Sequence, residues 1–234
     1  MLELKNLSYS YNENQILENL NLSIKDHSFH SLVGLSGAGK TLILKLISGL
    51  LDIQSGTIDN CPIKKSFVFQ NASFFPWLSI IKNLEICTKA SKDEILKSLR
   101  NFRLDNVANM YPHQLSGGTL QKVSILRSFL NKAELILMDE PFVHLDMVQK
   151  EEIYSFTLNL WTTYKPTIIL VTHDLDEALY LSESLSYLSK KDKKIVVSYE
   201  INLNRNLNFN ECKTTQSHLT YFNNIYTRLR EDLN

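Results

Sequence analysis

Apolar positions change their period several times along the chain, and each change marks an element. Leu2 and Leu4, then Leu20, Leu22 and Ile24, alternate with polar residues, so the first 25 positions predict antiparallel strands. Phe29-His30-Ser31-Leu32-Val33 is short and apolar enough for a buried strand. Leu42-Ile43-Leu44-Lys45-Leu46-Ile47 continues as a helix until Gly49 can cap it. Ser66-Phe67-Val68-Phe69 predicts a further buried strand, ending at Gln70. From about residue 71 to 131 the pattern turns helical. Ser91-Lys92-Asp93-Glu94 is a capping box opening a helix through Arg100, and Pro76 and Pro112 interrupt the region.

Glu134-Leu135-Ile136-Leu137-Met138-Asp139 returns as a buried strand. A helix over about Met147 to Tyr164 leads to Pro166 and the strand Thr167–Thr172, and two strands near Ser184–Ser189 and Lys194–Asn202 follow. Leu203 to Cys212 is asparagine-rich and predicts a surface loop. A last helix from about Ser217 to Leu229 aligns Leu219, Phe222, Ile225, Tyr226 and Leu229 along one side. There is no internal repeat or long linker. The expected class is α/β, with a mostly parallel sheet, an antiparallel β edge and an inserted helical subdomain. As one domain, 1–70 and 132–203 would form the core, 71–131 the helical subdomain, and 204–234 a tail.

Composition narrows the function. A length of 234 residues fits one large domain or a core with a subdomain, and 44% apolar residues suffice for a substantial buried core. Lys plus Arg equals Asp plus Glu at 25 each, so no global basic field draws the chain to nucleic acid or anionic lipid. Cys61, Cys87 and Cys212 are widely separated, with no C-x-x-C pair; a reducing compartment is expected, and a disulfide scaffold or thiolate metal site is not. No apolar run reaches the length of a membrane span, and Met1-Leu2-Glu3-Leu4-Lys5-Asn6 lacks the order of a signal peptide. The expected location is cytoplasmic, with any membrane role exerted through a partner.

The chemistry is concentrated in Gly34-Leu35-Ser36-Gly37-Ala38-Gly39-Lys40-Thr41, a full G-x-x-x-x-G-K-[ST] match set between a strand and a helix. Glycines let backbone N–H groups converge on phosphates, and the following helix adds its positive N-terminus. Lys40 would neutralise charge between the last two phosphates, while the Thr41 hydroxyl would hold Mg²⁺. Asp139-Glu140 ends the strand over Leu135–Met138 at the carboxyl edge, where open α/β sheets bind ligands. Asp139 suits Mg²⁺, and Glu140 suits accepting a proton from attacking water. Two such acids beside a phosphate loop are costly unless metal or substrate balances them. N-capping of the helix after Pro141 is the plainer alternative. His173 ends the next strand on the same presumed face. Leu115-Ser116-Gly117-Gly118 precedes a helix over Thr119 to Leu130 and makes an anion-binding cap. That second cap is redundant for one nucleotide, and makes sense if it serves the nucleotide of another copy.

Together these residues resemble the nucleotide-binding subunits of ABC transporters, over about residues 1–200. The resemblance implies an ABC ATPase fold around a P-loop NTPase core, with ATP and Mg²⁺ as cofactors and hydrolysis coupled to transport. By the matched motifs, Tyr11 stacks on adenine, and Gly34 to Leu42, with Lys40 and Thr41 as phosphate and Mg²⁺ ligands, form the P-loop. Gln70 senses metal and water, and Ser116, Gly117 and Gly118 act on the opposite subunit. Asp139 holds the metal, Glu140 is the general base, Asp146 lies at the dimer interface, and His173 is the γ-phosphate switch. Tyr9 would face the same side as Tyr11, and either ring is compatible with edge packing; position in the motif favours Tyr11.

Phe75-Pro76-Trp77-Leu78-Ser79, Leu137-Met138-Asp139-Glu140-Pro141-Phe142 and Val171-Thr172-His173-Asp174-Leu175-Asp176-Glu177-Ala178-Leu179-Tyr180-Leu181 look like the nitrate/sulfonate/taurine-type importer group. That implies a head-to-tail homodimer, transmembrane permease subunits, an extracytoplasmic solute-binding protein and no nucleic acid partner. The chain would sit on the inner face of the membrane. Phe74, Phe75, Trp77 and Leu78 would grip a permease helix, or else form an internal cluster. Thr119, Leu42 and His144 depart from the family pattern. A soluble non-transport ABC ATPase and a catalytically weak regulatory subunit stay open as alternatives.

Overall fold

The computed structural model describes residues 1–233, as two sheets with helices on either side. Strands β1 (Leu2–Tyr11), β2 (Asn14–Ile24), β3 (Phe29–Val33), β4 (Ser55–Asp59) and β5 (Lys65–Val68) come first, with helix α1 (Lys40–Ser48) after β3. Helices α2 (Ile80–Cys87), α3 (Lys92–Asn101) and α4 (Gly117–Leu130) follow. Then come β6 (Leu135–Asp139), α5 (Met147–Tyr164), β7 (Thr167–Thr172), α6 (Leu175–Leu181), β8 (Ser184–Leu188), β9 (Ile195–Glu200), α7 (Phe209–Lys213) and α8 (Gln216–Leu233).

The small sheet, ordered β2-β1-β4, is antiparallel throughout. Its alternating pattern is that of a sheet with one buried face: Leu17, Leu20, Leu22 and Ile24 point inward, with solvent-facing residues between them. Asn6, Asn12 and Asn19 take left-handed backbone at its bulges and turn, a conformation that asparagine tolerates. The large sheet runs β5-β6-β7-β3-β8-β9, parallel except for β9. Every residue of β3 and β7 is buried, which is why these strands read as near-continuous apolar runs. One face packs on α1 and the small sheet through Leu32, Leu137 and Ile169; the other packs on α2 to α5 through Phe29, Ile136 and Leu170.

Register is what builds the site. Val33 pairs with Thr172, Val171 with Asp139, and Met138 with Val68. Four parallel strands therefore end level, and Gly34, Gln70, Glu140 and His173 emerge along one rim of the sheet.

Several expectations are corrected. β4 and α6 have no counterpart among the elements predicted from sequence, and residues 71–79 form an irregular segment rather than helix. The stretch from Leu203 to Cys212 is not simply a surface loop: Asn208 makes a capping box for α7, and Phe209 and Cys212 are buried. On α8 the inward stripe is His218, Phe222, Ile225 and Leu229, while Leu219 and Tyr226 are exposed. They lie about a quarter of a turn off the face that meets β8 and β9, where the 3.6-residue period leaves them at the stripe's edge.

Candidate functional site

The loop between β3 and α1 is shaped by its glycines. Gly37 and Gly39 have φ of 77° and 104°, in the left-handed region, and a β-carbon on Gly39 would lie 3.0 Å from Ile16 Cγ2 and 3.1 Å from Leu17 Cδ2. Gly34 needs its missing side chain for another reason, since a β-carbon there would sit 2.5 Å from the Leu188 carbonyl oxygen. The loop borders a cleft of about 350 Å³ lined by Tyr11, Ser36, Gly37, Gly39, Lys40, Thr41 and Leu42, with Ile16, Lys45 and Glu140. Gly34, Leu35 and Ala38 shape the loop from behind without lining the cleft.

Lys40 is 5% exposed, and its ammonium donates to the carbonyl oxygens of Gly34 at 2.8 Å and Leu35 at 3.0 Å. That uses two of its three N–H donors. Burial pulls its pKa down, opposed by the nearby Glu140 and Asp139 carboxylates. Thr41 Oγ1 donates to Asp139 Oδ1 at 2.9 Å. Burial raises the Asp139 carboxyl, with the Thr41 bond acting against it and Glu140 adding to it. Glu140 adopts φ 44°, left-handed and uncommon for a residue with a side chain; its backbone N–H is held by the Val171 carbonyl at 2.9 Å. This turn aims the carboxylate at His173, whose Nδ1 lies 3.2 Å from Glu140 Oε2. Neither acid caps the following helix, because α5 starts at Met147 and is capped by Asp146.

The hard oxygens of Thr41 and Asp139, one hydroxyl and one carboxylate, suit Mg²⁺ held largely by phosphate oxygens and water. Glycine N–H groups, the α1 N-terminus and the Lys40 ammonium suit a polyphosphate.

Gln70, Ser116 to Gly118, Asp139, Asp146 and His173 do not line this cleft, whereas Tyr11 and Leu42 do. Gln70 is exposed, with Nε2 3.4 Å from His144 Nε2. Ser116, Gly117 and Gly118 open α4; Ser116 Oγ accepts from the Thr119 backbone N–H at 3.2 Å and pairs with Thr119 Oγ1 at 2.9 Å. A β-carbon on Gly117 would meet nothing within 4 Å. Asp146 Oδ1 accepts from the Gln149 backbone N–H at 2.9 Å, beside the exposed Met147 and Val148. Tyr11 is half-exposed at the cleft, edge-on to the buried Tyr9 at 5.1 Å between ring centroids. Leu42 is buried against the small sheet as well as bordering the cleft, so it is a core residue first. The aromatic segment divides: Phe74 packs on the helical core under the Arg127 guanidinium, Leu78 is half-buried, and Phe75 and Trp77 face outward, Trp77 at 70% exposure.

Lys45 and Ile16 are cleft residues that sequence reasoning missed. Lys45 stands one helical turn after Thr41 on the same face, a spacing legible in the sequence. Ile16 arrives from the β1–β2 hairpin and carries no such signal.

A profile of the family described as ABC transporter matches residues 17–143. The chain is 36% identical over 214 residues to the aliphatic sulfonates import ATP-binding protein of Bacillus cereus, covering 87% of this chain and 84% of that one. With the Bacillus subtilis protein of the same description the identity is 37% over 194 residues, covering 78% and 76%. An ATP-binding cassette solved as a dimer in a post-hydrolysis state, bound to ADP and Pi, aligns with a TM-score of 0.72 at 30% identity. That alignment covers 86% of this chain and 99% of the solved one. A nucleotide-free cassette from an ABC transporter aligns with a TM-score of 0.76 at 19% identity, a likeness of fold.

Proposed function

The chain belongs to the ABC transporter ATP-binding family, and on that premise we propose that it binds Mg-ATP and hydrolyses it to power import of a small solute through a membrane-embedded permease. The observation that carries this reading is the level ending of β3, β6 and β7. It sets Lys40, the Thr41–Asp139 pair and the Glu140–His173 pair around one phosphate loop.

Each residue then has a task that its surroundings support. Backbone N–H groups of the glycine loop and the Lys40 ammonium hold the phosphates, with Tyr11 placed at the cleft mouth for the adenine ring. Thr41 and Asp139 would hold Mg²⁺, which would supply charge neutralisation on the phosphate oxygens. Glu140 takes a proton from the attacking water, and His173, 3.2 Å away, orients it. Gln70 lies at the next strand end, positioned to report the state of the rim to the helical segment 71–131, which we read as a lobe inserted in the core.

Ser116, Gly117 and Gly118 do not border the cleft of their own copy. Ser116 and Gly117 are exposed at the start of a 14-residue helix, a place that suits an anion, while Gly118 is buried beside Gln149. We therefore assign them to the nucleotide of a second copy in a head-to-tail dimer, with Asp146, Met147 and Val148 near the seam. Among the described residues no helix is long and apolar enough to cross a membrane. Contact with the membrane is assigned to the permease, gripped through the exposed Phe75 and Trp77. Relatives named for aliphatic sulfonates import support a sulfonate-like cargo, delivered by a solute-binding protein of the same system. The chain's site is cytoplasmic in this arrangement.

The test is Glu140→Gln. Hydrolysis should fall by roughly 10²–10⁴ while Mg-ATP binding persists, as loss of a general base gives. Unchanged hydrolysis overturns the assignment.

A further inference from the structure

The turn between β8 and β9 carries Lys190, Lys191, Lys193 and Lys194 around Asp192, and it is pressed against the phosphate loop. The close approach of the Leu188 carbonyl to Gly34 seats the end of β8 directly on the loop's first residue. One step further on, the Lys190 ammonium lies 3.8 Å from where a β-carbon of Gly37 would stand, and Gly37 lines the cleft. Lys190 is exposed, and its ammonium has no carboxylate partner among the described residues.

The far side of this turn is fixed by the last helix. The Asp232 carboxylate accepts the Tyr187 hydroxyl at 2.8 Å, the Ser189 hydroxyl at 2.7 Å, and the backbone N–H groups of Lys190 at 2.7 Å and Lys191 at 3.0 Å. Four donors on one carboxylate, two of them from the turn's backbone, leave the turn little freedom. Asp232 thus links the end of α8 to the phosphate loop across the lysine turn.

We propose that Lys190, beside Gly37 at the cleft rim, is a phosphate-facing cation additional to the cleft-lining Lys40 and Lys45, and that Asp232 is the positioning residue that sets it there. The proposal deepens the reading of the cleft as an ATP site and rests on it. A triphosphate with its several negative charges brings more than the buried Lys40 and the exposed Lys45 on the cleft wall offset between them. The missing side chain at Gly37 leaves the loop rim open to an ammonium from the neighbouring turn. The same arrangement gives the α8 end a task in nucleotide affinity.

The experiment measures equilibrium binding of Mg-ATP and of AMP, which lacks the outer phosphates, to the full-length chain carrying Glu140→Gln. In that background Lys190→Met should weaken Mg-ATP about three- to tenfold, the range expected of one partly solvated charged contact, and leave AMP unchanged. Lys190→Arg should restore most of the loss. Asp232→Asn should weaken Mg-ATP when Lys190 is present and change nothing further when Lys190 is already Met, because two groups acting in series are not additive. Unchanged Mg-ATP affinity in Lys190→Met, or equal weakening of ATP and AMP, overturns the role of Lys190. An Asp232→Asn effect of the same size in both backgrounds overturns the positioning. Failure of the Glu140→Gln parent to bind Mg-ATP would instead defeat the ATP-site reading itself, and this proposal with it.

Discussion

Gly39 and Gly49 stand at the two ends of α1, both in left-handed backbone, and an alanine at each separates steric crowding from backbone strain. At Gly49 (φ 80°) a β-carbon would meet nothing within 4 Å, so Gly49→Ala bears only the left-handed penalty of about 1–2 kcal/mol. At Gly39 (φ 104°) the same penalty applies, and the new methyl meets Ile16 Cγ2 at 3.0 Å and Leu17 Cδ2 at 3.1 Å. Leu17 is fully buried and cannot swing away, so crowding adds about 1–3 kcal/mol. The expected destabilisation is therefore about 2–5 kcal/mol for Gly39→Ala and about 1–2 kcal/mol for Gly49→Ala. Urea unfolding of both variants gives the stability difference, and Mg-ATP titration gives its functional consequence. Gly39→Ala should also lose tenfold or more in affinity, since about 1.4 kcal/mol of loop distortion suffices for that. Gly49→Ala should bind as the parent does. Equal destabilisation with unaltered ATP binding in both would refute the close packing of the loop on the β1–β2 hairpin.

Two buried titratable groups give stability slopes of opposite sign. His30 is 2% exposed, with Nδ1 2.7 Å from Ser184 Oγ and no partner for Nε2, and burial pulls its pKa from 6.5 down to about 4. The unfolded chain therefore binds more protons between those values, and stability present above pH 6.5 is lost as pH falls, by about 2 kcal/mol at pH 5. His30→Leu should flatten the fall in unfolding free energy between pH 7 and 5; an identical slope would contradict the burial argument. Glu177 behaves conversely: burial, reinforced by Asp174, pushes its carboxyl from 4.5 up to about 7. The folded chain holds the extra proton, so stability declines as pH rises from about 4.5 through 7, by about 3 kcal/mol. Glu177→Gln retains an acceptor for the Tyr154 hydroxyl, which lies 2.9 Å from Glu177 Oε2, and should be the more stable protein at pH 8 but not at pH 5. No gain at pH 8 would show that the ionised carboxylate is fully compensated by Lys150, 3.9 Å away.

The parallel core was legible because β3, β6 and β7 are buried on both faces, which leaves no reading for Phe29–Val33 or Thr167–Thr172 except a central strand. α5 was equally plain as a helical stretch over about Met147 to Tyr164 ahead of Pro166, and the structure adds its cap at Asp146. β4 was not legible, because Ser55-Gly56-Thr57-Ile58-Asp59 is an edge strand with little buried apolar surface and gains its identity only by pairing with β1. The segment around Phe209 misled through its asparagines, which mark the cap of α7 rather than a loop. For the site, residues contiguous with the glycine loop could be named from spacing. Ile16 reaches the cleft by hairpin register, and Lys190 approaches its rim by the seating of the β8–β9 turn. Long-range contacts of that kind leave no local pattern. The left-handed backbone of Glu140 was equally hidden, since it comes from the bond of its N–H to Val171 on the adjacent strand.

In the proposed dimer each nucleotide is completed by two copies, one giving Lys40, Thr41 and Glu140 and the other giving Ser116 to Gly118. Sedimentation velocity of the Glu140→Gln chain, 27.0 kDa as a monomer, addresses it directly. A species of twice that mass is expected with Mg-ATP, reverting to monomer when Mg²⁺ is chelated and absent when Ser116 and Gly117 are replaced by bulky acidic residues. A chain that binds Mg-ATP to saturation and stays monomeric, alone and beside its permease, would contradict it.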